Sequence, residues 1–160
     1  MDIETLSLFD RSCLDSAALL AKGALSRHRN LPIGCVIALD EKIIGSGANT
    51  ILHPNYDPGR HAEIEAIRSV DVQLWSRAKD MTLYTTLEPC IMCMTTIVLY
   101  QIGRVVFGAR DVRGGATCLL PHLPALYQAD QFKLVGPTDP ERFDKLYELA
   151  HHMLYEPDEH

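Results

Sequence analysis

Apolar residues recur at three- and four-residue steps from Asp2 to about Ser26, through Leu6, Phe9, Cys13, Ala17, Leu20 and Ala24, while Glu4, Arg11, Asp15 and Lys22 fall elsewhere. That period predicts a long amphipathic helix. At Pro32 the pattern changes: Ile33 to Leu39 is an apolar, β-branched run, Asp40-Glu41 interrupts it, and Lys42 to Gly47 resumes it, which predicts a β-hairpin. Asn49 to Arg60 carries Pro54, Asn55, Asp57, Pro58 and Gly59, a loop composition, after which His61 opens a helix to Val70 with Ile64, Ile67 and Arg68 in register. Met81 to Leu87 reads as a strand, and Pro89 suits the first position of a helix that runs to about Gln101, where Gly103 breaks the pattern. Arg104 to Ala109 reads as a strand, Leu119 to Gln128 as a short helix, Phe132 to Val135 as a strand and Pro140 to Leu154 as a closing helix.

Strands that alternate with helices after an opening hairpin predict an α/β sheet, mostly parallel at its end, with helices on its faces. The chain has 160 residues, 47% hydrophobic and 22% charged, the profile of one compact domain over residues 1–160. A chain of that length supports a core without a metal or disulfide staple, so any metal here is expected to be functional. Lys plus Arg number 15 against 21 Asp plus Glu, and the formal charge of −6 argues against a polyanion binder while leaving a local basic patch open. Five cysteines, an odd number, and an N-terminus without a basic and then apolar leader favour the cytoplasm over secretion. No apolar run approaches the roughly 20 residues that span a bilayer, so no membrane role is expected.

The chemistry concentrates in His61-Ala62-Glu63 and Pro89-Cys90-Ile91-Met92-Cys93. Cys90 and Cys93 sit three apart on one helix face, so both sulfurs can bind one ion, and a helix N-terminus favours the thiolate that a metal needs. His61, at the start of its own helix, supplies a third donor if the two helix starts lie side by side. Three protein ligands leave one coordination place for water, the pattern of a catalytic zinc, and no fourth ligand is evident. Glu63 projects from a different part of the first turn; it need not bind the ion and can take a proton from that water and pass it to a leaving nitrogen.

His-x-Glu with Pro-Cys-x-x-Cys resembles the signature of the zinc nucleobase deaminases. The chain resembles the cytidine deaminase-like superfamily over nearly its whole length, most closely at Asp57 to Ile67 and Thr82 to Asp111. Within it, Thr-Leu-Glu-Pro-Cys-Ile-Met-Cys and the stretch from Ile102 to Asp111 look like bacterial tRNA adenosine deaminases. Leu83 to Leu87, Ile97 to Tyr100 and the tail Tyr155-Glu156-Pro157-Asp158 look like free-base cytosine deaminases. The resemblance implies a three-layer α/β/α sandwich on a five-stranded mixed sheet, with zinc on His61, Cys90 and Cys93 and Glu63 as proton shuttle. It also implies a homodimer through the helix from Ile91 to Gln101. Asn49 matches a position that holds the base by its side-chain amide, Glu88 and Pro89 line the same pocket with main-chain groups of Leu87 to Cys90, and Tyr155 and Asp158 form a C-terminal lid.

The expected substrate is a free base or nucleoside of guanine or cytosine type, from the acidic balance and the acidic tail; adenosine at the tRNA wobble position is the alternative. Against tRNA stand Thr50 in place of an Arg, Met94-Thr95-Thr96 in place of small residues, and the lack of a basic C-terminal helix, although Arg104, Arg110, Arg113 and Lys133 can form a patch. A reading of another class, a thiol redox or binding protein, leaves His61-Ala62-Glu63 unexplained and meets Ile91-Met92 where small residues are expected. Cys13 and Cys35 read as core, His53 and Cys118 as loop residues.

Overall fold

The computed structural model describes residues 6–128 and 132–155. Nine principal elements follow in order: α1 (Leu8–His28), β1 (Gly34–Leu39), β2 (Lys42–Ala48), α2 (Ala62–Ser69), β3 (Thr82–Leu87), α3 (Ile91–Leu99), β4 (Arg104–Ala109), β5 (Lys133–Val135) and α4 (Pro140–Tyr155). The strands form one sheet in the order β2-β1-β3-β4-β5; β1 runs antiparallel to both β2 and β3, and β3, β4 and β5 are mutually parallel. This is the five-stranded mixed sheet of the expected α/β/α sandwich.

Strand alternation explains the continuous apolar runs. Cys35, Ile37 and Leu39 of β1, Leu83 of β3 and Val105 of β4 face one core with Ala62, Ala66 and Ile67 of α2 and Ile97 of α3. Val36, Ala38, Tyr84 and Val106 face the other with Cys13, Leu14 and Ala18 of α1 and Phe143 of α4. A strand buried on both faces cannot carry a polar face, so its sequence shows no period of two. Asp40 and Glu41 both take left-handed backbone, φ 50° and 54°, and close the tight hairpin between β1 and β2. Gly47 lets α2 lie directly on β2: a Cβ there would stand 2.3 Å from the Ala66 amide nitrogen and 2.4 Å from the Ala62 carbonyl. That close approach seats the first turn of α2 against the sheet.

Four boundaries differ from the sequence pattern. Helix α1 starts at Leu8 because Ser7 and Asp10 form a capping box, the Ser7 hydroxyl accepting from the Asp10 amide and the Asp10 carboxylate from the Ser7 amide. Val72–Asp80 is 3₁₀ helix, where no element was expected. The expected helix from Leu119 to Gln128 is two 3₁₀ pieces, Thr117–His122 and Ala125–Tyr127; Pro121 lies within the first and Pro124 caps the second. Cys90 is the N-cap of α3 rather than part of its first turn, and Pro89 precedes the cap. Among the described residues no helix is long and apolar enough to cross a membrane.

One buried ionic network ties α1 to the sheet. The Arg104 guanidinium grips the Asp10 carboxylate at 2.6 and 3.3 Å, and the Tyr84 hydroxyl donates to it at 2.7 Å. Burial by itself would raise the Asp10 carboxyl, but the bonds from Arg104, Tyr84 and Ser7 outweigh it and hold the group at about 2 instead of 3.8. A folded-state pKa below the unfolded one stabilises the fold at every pH above about 4, by about 2 kcal/mol, and that contribution disappears as pH falls towards 2. Asp10→Ala, which leaves Arg104 without its carboxylate, is expected to cost about 3 kcal/mol in urea unfolding at pH 7 and to flatten the fall in stability between about pH 4 and pH 2.

Candidate active site

Two helix starts meet at one end of the sheet. His61 is the N-cap of α2 but its side chain makes no cap bond, and Cys90 stands in the same position on α3, likewise with a side chain free of capping. The His61 ring and the Cys90 sulfur turn toward each other instead of toward their own helices. His61 Nδ1 lies 3.6 Å from Cys90 Sγ, and donor atoms of His61, Cys90 and Cys93 all lie within 4.8 Å of one another. Tetrahedral zinc with Zn–S near 2.3 Å and Zn–N near 2.0 Å holds its donors about 3.5–3.8 Å apart, so the cluster needs little rearrangement to close on an ion. Among the described residues this is the one group of three or more His, Cys, Asp or Glu side chains with that proximity.

The local electrostatics suit a cation. The neighbouring Cys93 and, against the opposing effect of burial, His61 favour the anionic form of the Cys90 sulfur and hold its thiol down at about 4. The contact with Cys90, together with burial and the nearby Glu63 charge, pushes the Cys93 thiol up. His61 is raised, first by its contact with Cys90. Two sulfurs and an imidazole, one sulfur already anionic, are a donor set that zinc prefers.

Glu63 lies in the first turn of α2, 3% exposed. One oxygen accepts the Thr85 hydroxyl at 3.1 Å and the other accepts the Cys93 thiol at 3.4 Å. Burial raises its carboxyl above the ordinary range. A carboxylate with a raised pKa, fixed by a strand hydroxyl and held beside the metal donors, is placed to accept and return a proton.

The cluster opens into a pocket of about 300 Å³ with Leu31, Ile33, Ile51 and Leu87 among its lining. Asn49, fully buried just past β2, lines it too; its Oδ1 accepts the Ile51 amide at 3.1 Å while its Nδ2 has no partner. A buried donor left unpaired costs free energy unless a ligand meets it. Glu88 also borders the pocket, but its carboxylate is committed: it accepts from the Thr117 amide at 3.1 Å, from the Thr117 hydroxyl and from the Asp111 amide at 3.1 Å. It thereby pins the loop that carries Asp111, Arg113 and Gly114 to the rim, and Gly115 is required there because a Cβ would stand 2.4 Å from the Glu88 carboxyl carbon. Pro89 is not among the lining residues; its carbonyl accepts the Ala116 amide at 3.0 Å. Tyr155 stands at the pocket mouth, 56% exposed, with the Arg113 guanidinium 4.8 Å from its ring centre. Asp158 lies outside the described residues. His53 and Cys118 are exposed and away from the pocket, and Cys13 and Cys35 are buried.

The sequence pattern did not single out Tyr147, His151 and Leu154, which with Tyr155 form the α4 wall of the pocket. Their spacing of three and four marks one helix face, yet that spacing is shared by every core-facing helix and carries no sign of a ligand. The basic patch left open by the sequence does not assemble from these four residues. Arg104 and Lys133 pair in register at one end of β4, Arg104 held by Asp10, while Arg110 and Arg113 follow the other end, Arg110 beside Glu88 at 3.7 Å.

Fold and site define a zinc-type α/β/α domain with three protein donors beside a buried carboxylate. The chain belongs to the cytidine and deoxycytidylate deaminase family, whose zinc-binding region matches residues 9–109. Its cofactor is zinc, and His61, Cys90 and Cys93 have the donor chemistry for it. A tRNA-specific adenosine deaminase of Agrobacterium fabrum is 36% identical over 108 residues, 67% of this chain and 70% of that protein. One of Buchnera aphidicola subsp. Baizongia pistaciae is 46% identical over 81 residues, 50% of this chain; the match spans about half of that relative's length, 49%. A solved structure from studies of A-to-I editing by tRNA:A34 deaminases at the wobble position superposes with a TM-score of 0.68 at 32% identity, covering 78% of this chain and 96% of that one.

These relatives overturn the expectation of a guanine- or cytosine-type free base or nucleoside. The acidic balance behind that expectation was a whole-surface sum. Individual carboxylates are instead matched locally, Asp10 by Arg104, Asp15 by Arg142, Asp40 by Arg77 and Glu65 by Arg60 and Arg68, and none of these four acids lines the pocket. Net charge of that kind says nothing about the field at one pocket mouth.

Proposed function

We propose that this chain is a zinc-dependent hydrolytic deaminase that converts adenosine to inosine at the wobble position of a tRNA anticodon. The observation that carries the chemistry is the buried Glu63 carboxylate beside the three metal donors at the floor of one pocket. Relatives at 36% and 46% identity named tRNA-specific adenosine deaminases support the substrate.

His61, Cys90 and Cys93 would hold the zinc ion, which would supply Lewis acidity that lowers the pKa of the attacking water. Glu63 takes the proton that the water loses and delivers it to the departing nitrogen, so that one water is consumed and one ammonia released for each inosine formed. Thr85 holds one Glu63 oxygen and leaves the other toward the metal donors. Asn49 presents its unpaired Nδ2–H to an acceptor on the base. The apolar side chains of Leu31, Ile33, Ile51 and Leu87 enclose the base and exclude bulk water. At the mouth, Tyr147, His151, Tyr155 and Arg113 offer aromatic faces and one cation, surfaces on which unstacked nucleotides rest.

The test is a panel of an anticodon stem-loop with adenosine at the wobble position, free adenosine, guanine and cytosine, scored for inosine and ammonia. Inosine is expected in the RNA alone, with kcat/KM falling about tenfold or more between about 50 and 200 mM salt, as a strand held by a few phosphate contacts requires. Ammonia from a free base with the RNA untouched would sink the proposal.

A further inference from the structure

The unpaired Nδ2 of Asn49 faces the pocket only because its Oδ1 faces the Ile51 amide, 3.1 Å away. The position of that amide is therefore part of the site. Ile51 belongs to the segment between β2 and α2, which has no regular secondary structure of its own and also carries Tyr56 and Pro58 into the pocket wall. Within the segment the Asp57 amide holds the Ile51 carbonyl at 2.8 Å and the Thr50 amide the Arg60 carbonyl at 3.1 Å; a buried side chain from outside ties the Ile51 stretch to the rest of the fold.

Asn30 does so. It follows the left-handed cap of α1, where Arg29 takes φ 51° and the Asn30 amide reaches back to the Ala24 carbonyl at 2.9 Å, so its backbone is anchored to a long helix. The side chain is fully buried and spends its whole bonding capacity. Its Oδ1 accepts the Leu52 amide at 2.9 Å and the His53 amide at 3.0 Å, and its Nδ2 donates to the His53 carbonyl at 3.2 Å and the His28 carbonyl at 3.4 Å. Three of those four partners lie in the two residues directly after Ile51. Asn30 is absent from the pocket lining, whereas its neighbour Leu31 is part of it.

We infer that Asn30 is a positioning residue: by clamping Leu52 and His53 it fixes the Ile51 amide, and so the orientation in which the Asn49 side chain offers a donor to the base. This rests on the reading of Asn49 as the base-contacting amide. The relay ends in specificity, because a pocket that offers N–H at that wall accepts a base with an acceptor there and leaves the donor of a mispresented base unpaired. A bond of this kind acts through geometry; displacement of a contact by about 1 Å can cost up to about a hundredfold in rate.

The experiment combines a double-mutant cycle with a spectrum. Asn30→Ala is expected to lower kcat/KM on the anticodon stem-loop about tenfold with zinc content unchanged, and to cost less than about twofold when introduced into Asn49→Ala, because the relay then has nothing left to orient. Asn30→Asp, which keeps both acceptor bonds, is expected to retain more activity than Asn30→Ala, and it carries the same cycle should the alanine variant fail to fold. Independently of activity, the Asn49 side-chain amide signals in a ¹⁵N correlation spectrum, assigned by their loss in Asn49→Ala, are expected to move or broaden in the Asn30 variant. Additive costs in the cycle, or Asn49 signals that stay in place, would overturn the inference. A wild-type protein that forms no inosine defeats the functional reading instead, and the amide signals still decide the role of Asn30.

Discussion

Glu63→Ala is expected to leave a folded protein with its full complement of zinc that forms inosine at least about a thousandfold more slowly than the parent. The structure separates the two properties because the three-donor cluster of His61, Cys90 and Cys93 forms without Glu63, one of whose oxygens is held by Thr85. With the carboxylate gone, no other carboxylate among the described residues is hydrogen-bonded to a metal donor and so placed to carry a proton from water to the leaving nitrogen. Glu63→Gln is the sharper variant, since it keeps the volume and one acceptor oxygen but cannot take up the proton. Both variants should be at least as resistant to urea as the parent, because the fold no longer buries a charge. Zinc content by elemental analysis, inosine formation and urea midpoint, measured together, check the prediction. Retention of more than about a tenth of the activity in Glu63→Gln would remove Glu63 from the proton pathway.

The second large effect is loss of the metal. Cys90→Ala removes the donor that is already anionic, and the remaining pair, His61 and Cys93, cannot hold zinc against buffer. Purified Cys90→Ala protein is expected to carry less than about a tenth of a zinc ion per chain and to be inactive, and a chelator should bring the parent to the same state. Zinc uptake by the metal-free parent at pH 7 should release protons, one from Cys93, whose thiol is pushed up, and a further share from His61, whose imidazole is raised by its contact with Cys90. Calorimetry in two buffers of different ionisation enthalpy reads that release directly. A full zinc complement in Cys90→Ala would mean that other residues bind the ion.

Much of the fold was legible in the order of apolar runs. Each strand and, the start of α1 apart, each long helix falls within a few residues of its predicted place, because burial on one or two faces leaves a period that is local in sequence. The misses share a cause. Val72–Asp80 is 3₁₀ and turns Leu74, Trp75 and Ala78 to the core at steps of one and three, which over nine residues is too short a run to stand out as an α-helical period. The start of α1 is set by the reciprocal bonds of Ser7 and Asp10, with Asp10 drawn inward to Arg104 and Tyr84, contacts made across 94 and 74 residues of sequence.

The site divides along the same line. His61, Glu63, Cys90 and Cys93 stood out in the sequence because the proposed chemistry of a metal and a proton shuttle calls for those residue types at fixed offsets on two helix starts, and offsets within one helical turn survive in the linear sequence. Residue type and local spacing, then, determined the class of fold, the metal donors and the carboxylate beside them. Only the tertiary structure decided what surrounds them. Glu88 is directed to the Asp111–Thr117 loop rather than to the substrate, α4 brings Tyr147, His151 and Tyr155 to the mouth, and Asn30 reaches 22 and 23 residues along the chain to orient the wall that holds Asn49. Those contacts join segments whose separation along the chain follows no period, so no pattern of hydrophobic and polar positions can encode them; packing alone brings the partners within bonding distance.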